Sequence, residues 1–185
     1  MNHSTLNVLL SLMLGAMTCS AALAQHHHDA HGGAASAPTG NYAGQQAREI
    51  KALSTQEEQD WLEGKGLGLA KAAELNGYPG PMHTLEHAVA LQLSAAQQAQ
   101  SQALLERHKA TARALGKELV DAERALDQAF AQQQITPAQL GALNAQIGQI
   151  HSMIRNEHLR THLEQTALLS STQIARYQVL RGYKN

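Results

Sequence analysis

Leu93-Ser94-Ala95-Ala96-Gln97 precedes a long run in which apolar residues recur three and four apart. Its pattern is an aliphatic residue, a hydroxyl, two further residues, then an amide or an acid. The pattern returns at Leu53-Ser54-Thr55-Gln56-Glu57, Ile135-Thr136-Pro137-Ala138-Gln139 and Leu169-Ser170-Ser171-Thr172-Gln173. Each is a helix-start signal. The hydroxyl accepts from a free N–H of the first turn, the Gln or Glu side chain reaches back, and the aliphatic residue packs over the start. Pro137 occupies the first helical position, where a missing N–H costs nothing. Four such boxes, each opening an apolar-periodic stretch, set out helices in series, so the fold class is all-α.

The periodicity gives the helices their extents. An amphipathic stretch from Ser54 to Leu75 is interrupted at Gly64, Gly66 and Gly68, and Asn76-Gly77-Tyr78-Pro79-Gly80-Pro81 is a turn by composition. Pro81 opens a short helix to about Leu91. A long helix then runs from Ala95 to about Gln132, roughly 57 Å at 1.5 Å per residue. Its stripe is Leu105, His108, Ala112, Leu115, Leu119, Ala122, Leu126 and Ala129, the seam of helix-on-helix packing. A second long helix reaches about Leu168, with Leu140, Leu143, Ile147, Ile150, Ile154, His158 and Thr161 on one face. The last short helix holds Ile174, Tyr177 and Leu180.

The link between the long helices is short enough to force an antiparallel hairpin, in which residue x faces about 269 − x. Leu126 then meets Leu143, Leu119 meets Ile150, and Leu115 meets Ile154, so both stripes fall into register. One hairpin with short flanking helices is hook-shaped and makes a thin core, which points to a homodimer.

Composition narrows the function. Leu6 to Leu14 is mostly apolar, and Ala22-Leu23-Ala24 supplies a small-x-small cleavage site. Residues 1–24 therefore read as a signal peptide directing the chain to the periplasm. The stretch is too short for a membrane span, and Thr18 before Cys19 is bulkier than lipoprotein processing takes. Residues 25–47 read as a disordered His-rich linker that includes His26-His27-His28-Asp29-Ala30-His31, and 48–185 as the helical domain. Cys19 is the only cysteine, so the processed chain has no disulfide, thiolate metal site or cysteine nucleophile. A formal net charge of −1 argues against nucleic acid, and 3% aromatics against a large enzyme pocket.

The histidines carry the chemistry. The register places His108 opposite Thr161, between His158 and His162, which share a face at i, i+4. His83 and His87 have the same spacing on the short helix. If that helix folds back over Leu93-Ser94, His83 faces about Ala103, beside Glu106 and His108. Imidazoles and one carboxylate from three segments thus converge at the open end of the hairpin. Neutral imidazole with carboxylate suits Zn, Ni, Co or Cu(II), and the lack of thiolate suits an exchangeable ion. The candidate ligands are His83, His87, Glu106, His108, His158 and His162. A lone His in an apolar stripe is more often a satisfied interior residue, and His151 facing Glu118 is better taken as a polar pair. His83-Thr84-Leu85-Glu86-His87 matches a zinc-protease pattern but lacks the α/β domain and distal ligand of those enzymes. Gly64-Lys65-Gly66-Leu67-Gly68 lacks P-loop spacing, and no Ser-His-Asp set can be placed, so an enzyme is not expected.

Leu93-Ser94-x-x-Gln97 and Leu169-Ser170-x-x-Gln173-x-x-x-Tyr177, behind a signal peptide, resemble the LTxxQ group of bacterial periplasmic proteins. That group includes the Spy and CpxP chaperone and stress proteins, the zinc-associated ZraP and the nickel–cobalt sensor CnrX. The resemblance spans about Pro81 to Tyr183. It implies a small helical hook that dimerises, often as a cradle. The metal sensor carries an H-x-x-x-H pair on its short helix, a Glu early in the long helix and an H-x-x-x-M pair late in the return helix. The matching residues here are His83/His87, Glu106 within a residue or two, and His158/His162, with His162 where the sensor has Met. A His-rich mature amino terminus is similar to the zinc-associated member.

Together these features predict a periplasmic stress or resistance protein that senses or buffers a transition metal and is read by a membrane-bound regulator. The alternative implied by the resemblance is an ATP-independent chaperone or envelope-stress regulator of the Spy/CpxP type, holding unfolded clients. Arg107, Lys109, Arg113, Lys117 and Arg124 would be its basic rim. Glu118, Asp121, Glu123 and Asp127 interleave with them, as on an ordinary solvated helix face.

Overall fold

All four helix-start boxes form. Ser54, Ser94, Thr136 and Ser170 each accept from the backbone N–H three residues on, at 3.1–3.3 Å. Glu57, Gln97, Gln139 and Gln173 each return the bond to the cap N–H, at 2.8–3.0 Å. The structure, a computed structural model, describes residues 40–185. The signal segment 1–24, the His26–His31 tract and the linker as far as residue 39 lie outside the described residues. From Gly40 the chain makes turns and one 3-10 turn, Gln45–Ala47.

Every regular element among the described residues is helical, and the helices pack on one another. They are α1 (Thr55–Leu62), α2 (Lys71–Glu74), α3 (Pro81–Glu86), α4 (Ala95–Ala131), α5 (Pro137–Ala167) and α6 (Ser171–Leu180). The long helices match the sequence expectation to within a residue at each end. The short helix expected to reach Leu91 instead stops at Glu86. Leu91 and Leu93 are both buried, and a continuing helix would set them about 200° apart. A turn with Gln92 at φ 52° brings both inside.

Progress along α4 is matched by retreat along α5. Gln97 Nε2 donates to the Leu168 carbonyl at 2.8 Å, Arg107 pairs with Glu164, and Thr161 Oγ1 lies 3.0 Å from His108 Nδ1. Leu119 and Ala122 of α4 form one core with Ile147, Ile150 and Ile154 of α5, and Trp61, Leu69, Leu115 and Leu126 close over it. Burying such side chains stabilises the fold by about 1.5–3 kcal/mol each. A second core of Leu91, Leu93 and Tyr177, with Ala88 and Leu169, joins the segment after α3 to α6.

α4 buries a second strip, which its heptad seam does not include. The Trp61 carbonyl at the end of α1 rests on Gly116, where an alanine Cβ would lie 1.9 Å from the oxygen. The turn at Gly64 (φ +68°) sits between this strip and the seam, against Ala112 and the Arg113 backbone. Before α1, Ile50 is 1% exposed, and both Lys51 N–H and Lys51 Nζ donate to the Asp127 carboxylate at 3.0 Å. Arg124 reaches Glu49 and Glu58, so the amino-terminal segment is tied to α4 by charge as well as packing.

Two of the four boxes also bind each other. Gln97 Nε2 donates to Gln173 Oε1 at 2.9 Å, and Gln173 Nε2 donates to Gln97 Oε1 at 3.1 Å. Gln173 Nε2 further reaches the Leu91 carbonyl at 3.3 Å. Either amide removed strands the other, so Gln97→Ala and Gln173→Ala are each expected to cost about 1–3 kcal/mol. The double variant should cost less than the two together by about 0.5–3 kcal/mol in urea denaturation. Strict additivity would show that the pair is not coupled.

Candidate metal centre

α3, α4 and α5 deliver four of the six expected residues to one cleft of about 460 Å³, lined by His83, His108, His158 and His162. The other two stand apart. His87 caps the end of α3 and does not line the cleft. Glu106 is exposed, accepts from Gln102 Nε2 at 2.9 Å, and lies about 200° around α4 from His108. Two carboxylates that the sequence analysis did not single out come closer. Glu157 faces His108, and Glu74, the last residue of α2, lines the cleft beside His162.

The hydrogen bonds fix which ring nitrogen is free. His162 Nδ1 lies 2.7 Å from the Tyr78 carbonyl, which can only accept, so Nδ1 carries the proton. His83 Nδ1 lies 2.7 Å from Glu86 Oε2, with the same consequence. His108 Nδ1 faces Thr161 Oγ1 at 3.0 Å and Glu157 Oε1 at 3.3 Å. Thr161 directs its own hydrogen to the Glu157 carbonyl at 2.8 Å, so Nδ1–H of His108 is again the donor. In the neutral form of each ring the lone pair is therefore on Nε2. His158 packs edge-on against His108 with centroids 4.6 Å apart, and its Nε2 is buried with no hydrogen-bond partner.

The electrostatics keep the inner pair neutral. Burial, reinforced by the neighbouring His108, pushes the His158 pKa down to about 4. Burial also lowers that of His108, with the Glu157 carboxylate partly opposing it. Burial works to raise the Glu157 pKa, but hydrogen bonds from Arg160 and His108 outweigh it and hold the group below its ordinary range.

The residues present fit a transition-metal ion by two tests. An imidazole that ligates through Nε2 characteristically donates Nδ1–H to a carboxylate or carbonyl, as His83, His108 and His162 do. Gly80 also leaves space at one of these nitrogens: a Cβ there would lie 2.9 Å from His162 Nε2. Among the described residues no three His, Cys, Asp or Glu side chains are drawn together as a bound ion would hold them. Searches of family models, curated proteins and solved structures found no match to the chain.

The turn after α2 was legible from its composition, but its place beside His162 was not. Its Tyr78 carbonyl orients His162, and Gly80 gives that ring clearance. The only local signal was the Gly/Pro density of residues 77–81. Glu74 had no signal, because its partners lie on α5, on α6 and at Tyr183.

The depressed His158 pKa has a consequence for stability. At pH 5 the residue is neutral when folded and protonated when unfolded, since its ordinary value is 6.5. Unfolding then takes up a proton. The stability is fully present above about pH 6.5 and is lost as pH falls toward 4. Urea midpoints measured with chelator present should drop between pH 7 and pH 5, and His158→Gln should flatten that slope. An unchanged slope in the variant would mean that His158 is not held neutral.

Proposed function

We propose that this chain is a periplasmic transition-metal-binding protein of stress or resistance type, which senses or buffers Zn, Ni, Co or Cu through the His83/His108/His158/His162 cleft. One observation carries the reading. Three imidazoles are oriented through Nδ1 by fixed acceptors, a fourth buries an unpartnered Nε2, and all four line one cleft. Neutral imidazoles with a nearby carboxylate are a donor set for these ions. The ion would supply a divalent charge that the cleft's nitrogens can share; the residues supply the orientation of the rings.

In this reading the chain is similar to the LTxxQ periplasmic group, α4 and α5 are the arms of its hairpin, and a homodimer covers the thin core. The interlocked boxes at Gln97 and Gln173 support it, since they are the two motifs that carry the resemblance. Sensing further requires that the ion bind one packing of α3 against the long helices more tightly than another. A membrane-bound regulator would then read the difference.

The metal reading is preferred to an ATP-independent chaperone of the Spy/CpxP type by the state of the basic rim. Arg107 is paired with Glu164, Lys117 with Asp121, and Arg124 with Glu49, Glu58 and Asp121. Three of the five rim cations are thus matched by carboxylates and offer little net charge to a client, while Lys109 and Arg113 have no ion pair among the described residues.

The test is calorimetric titration of Zn, Ni, Co and Cu(II) into chain carrying Ala at His26, His27, His28 and His31, so that the linker tract does not compete. Sub-micromolar binding is expected, with a loss of at least about 100-fold in a His158→Ala/His162→Ala variant. Binding unchanged by the double substitution would return these histidines to a packing role and favour the chaperone, which near-stoichiometric suppression of client aggregation by metal-free protein would then support.

A further inference from the structure

Glu74 belongs to the cleft and to α6 at once. Its side chain is 13% exposed, and its two oxygens face different structures. Oε1 accepts from Tyr177 OH at 2.6 Å and from Tyr183 OH at 3.1 Å, with Arg181 Nε 3.4 Å away. Oε2 is buried, has no hydrogen-bond partner, and stands 3.6 Å from His162 Nδ1. That nitrogen gives its proton to the Tyr78 carbonyl. Two residues that contact Oε1, Tyr177 and Arg181, lie in or directly after α6, and Tyr177 is fully buried in the second core. Burial and the Glu74 bond both push its phenol far above the ordinary range, so it remains a donor to the carboxylate.

We propose that Glu74 is a positioning residue for His162 and the lever by which occupancy of the cleft is conveyed to the carboxyl-terminal segment. The inference rests on the metal reading above. A cation on His162 Nε2 withdraws electrons from the ring and makes Nδ1–H a stronger donor. The nearest acceptor without a partner of its own is Glu74 Oε2. Drawing that oxygen in completes a carboxylate–imidazole pair of the kind that orients metal ligands. The same carboxylate holds both tyrosines through Oε1, so fixing it tightens their anchorage. Any such coupling is reciprocal: if ion binding tightens α6, a tightened α6 binds the ion better by the same factor.

This arrangement gives the carboxylate role to Glu74 in place of Glu106. Glu106 is exposed and outside the cleft, whereas Glu74 is the cleft acid with an unused buried oxygen.

The experiment is hydrogen exchange by mass spectrometry with and without Zn2+, on the full chain carrying Ala at His26, His27, His28 and His31. Zn2+ affinity is measured alongside. Zn2+ is expected to slow exchange across residues 171–183. In Glu74→Gln, which keeps an acceptor of the same shape, that response should vanish and Zn2+ affinity should fall about 10- to 100-fold. Tyr183→Phe removes one exposed donor; it should keep Zn2+ binding and shrink the response. Zn2+ binding with unaltered exchange in 171–183, or an undiminished response in both variants, overturns the proposal while leaving the metal reading in place. Absence of Zn2+ binding by the parent chain removes the metal reading and this inference together.

Discussion

The reciprocal amide pair between Gln97 and Gln173 is the constraint on which the rest of the chain depends. Each amide is the return half of its own capping box, bound to the N–H of Ser94 or Ser170. Each is also bound to the other, and to a carbonyl at a helix or turn end, Leu168 or Leu91. The starts of α4 and α6, the end of α5 and the turn after α3 therefore meet in one hydrogen-bonded knot. The Leu91–Leu93–Tyr177 core supplies apolar burial to the same group of segments. The cleft depends on this knot because α3 bears His83, α5 bears His162, and Tyr177 of α6 holds Glu74.

The fold was legible where information is local. Caps, Pro at a first turn and apolar spacing act within a few residues, and they placed α4, α5 and α6 nearly to the residue. The register between the long helices followed from one short link, and Thr161 does meet His108. What local patterns do not encode is a backbone resting on a backbone. Gly116 looks like a weak point in a helix, yet it is the place where the Trp61 carbonyl settles. Ile50 is isolated in a polar stretch, so its 1% exposure could not be read from periodicity.

Four of the six candidate residues line one cleft, whereas the groups that contact their rings were not legible in the sequence. The i, i+4 spacing brought His158 and His162 to one face, and the register brought His108 to them. Glu106 was chosen for proximity along α4, but two residues of helix carry a side chain to the far side. Glu157 and Glu74 instead lie beside His108 and His162, through contacts that link α4 to α5 and α2 to α5. The end of α3 at Glu86 likewise left His87 at the turn rather than on the cleft wall. Rings are predictable from helical phase, whereas the acceptors that orient them come from turns and neighbouring helices.

The cleft also carries an energetic signature. A buried polar atom without a partner costs about 1–3 kcal/mol, and folded proteins hold few of them. His158 Nε2 and Glu74 Oε2 are two of eight such atoms among the described residues, and both of these residues line the same cleft, whereas Thr84, Ser101, Gln165 and Gln178 hold theirs elsewhere. Hydrophobic replacements would relieve that cost, and at the fully apolar positions around Leu119 and Ile154 the chain uses them. At His158 it instead keeps an imidazole whose burial forces it to stay neutral and whose lone pair is unspent. If the proposed ion binds there, mass action makes the loaded fold the more stable one.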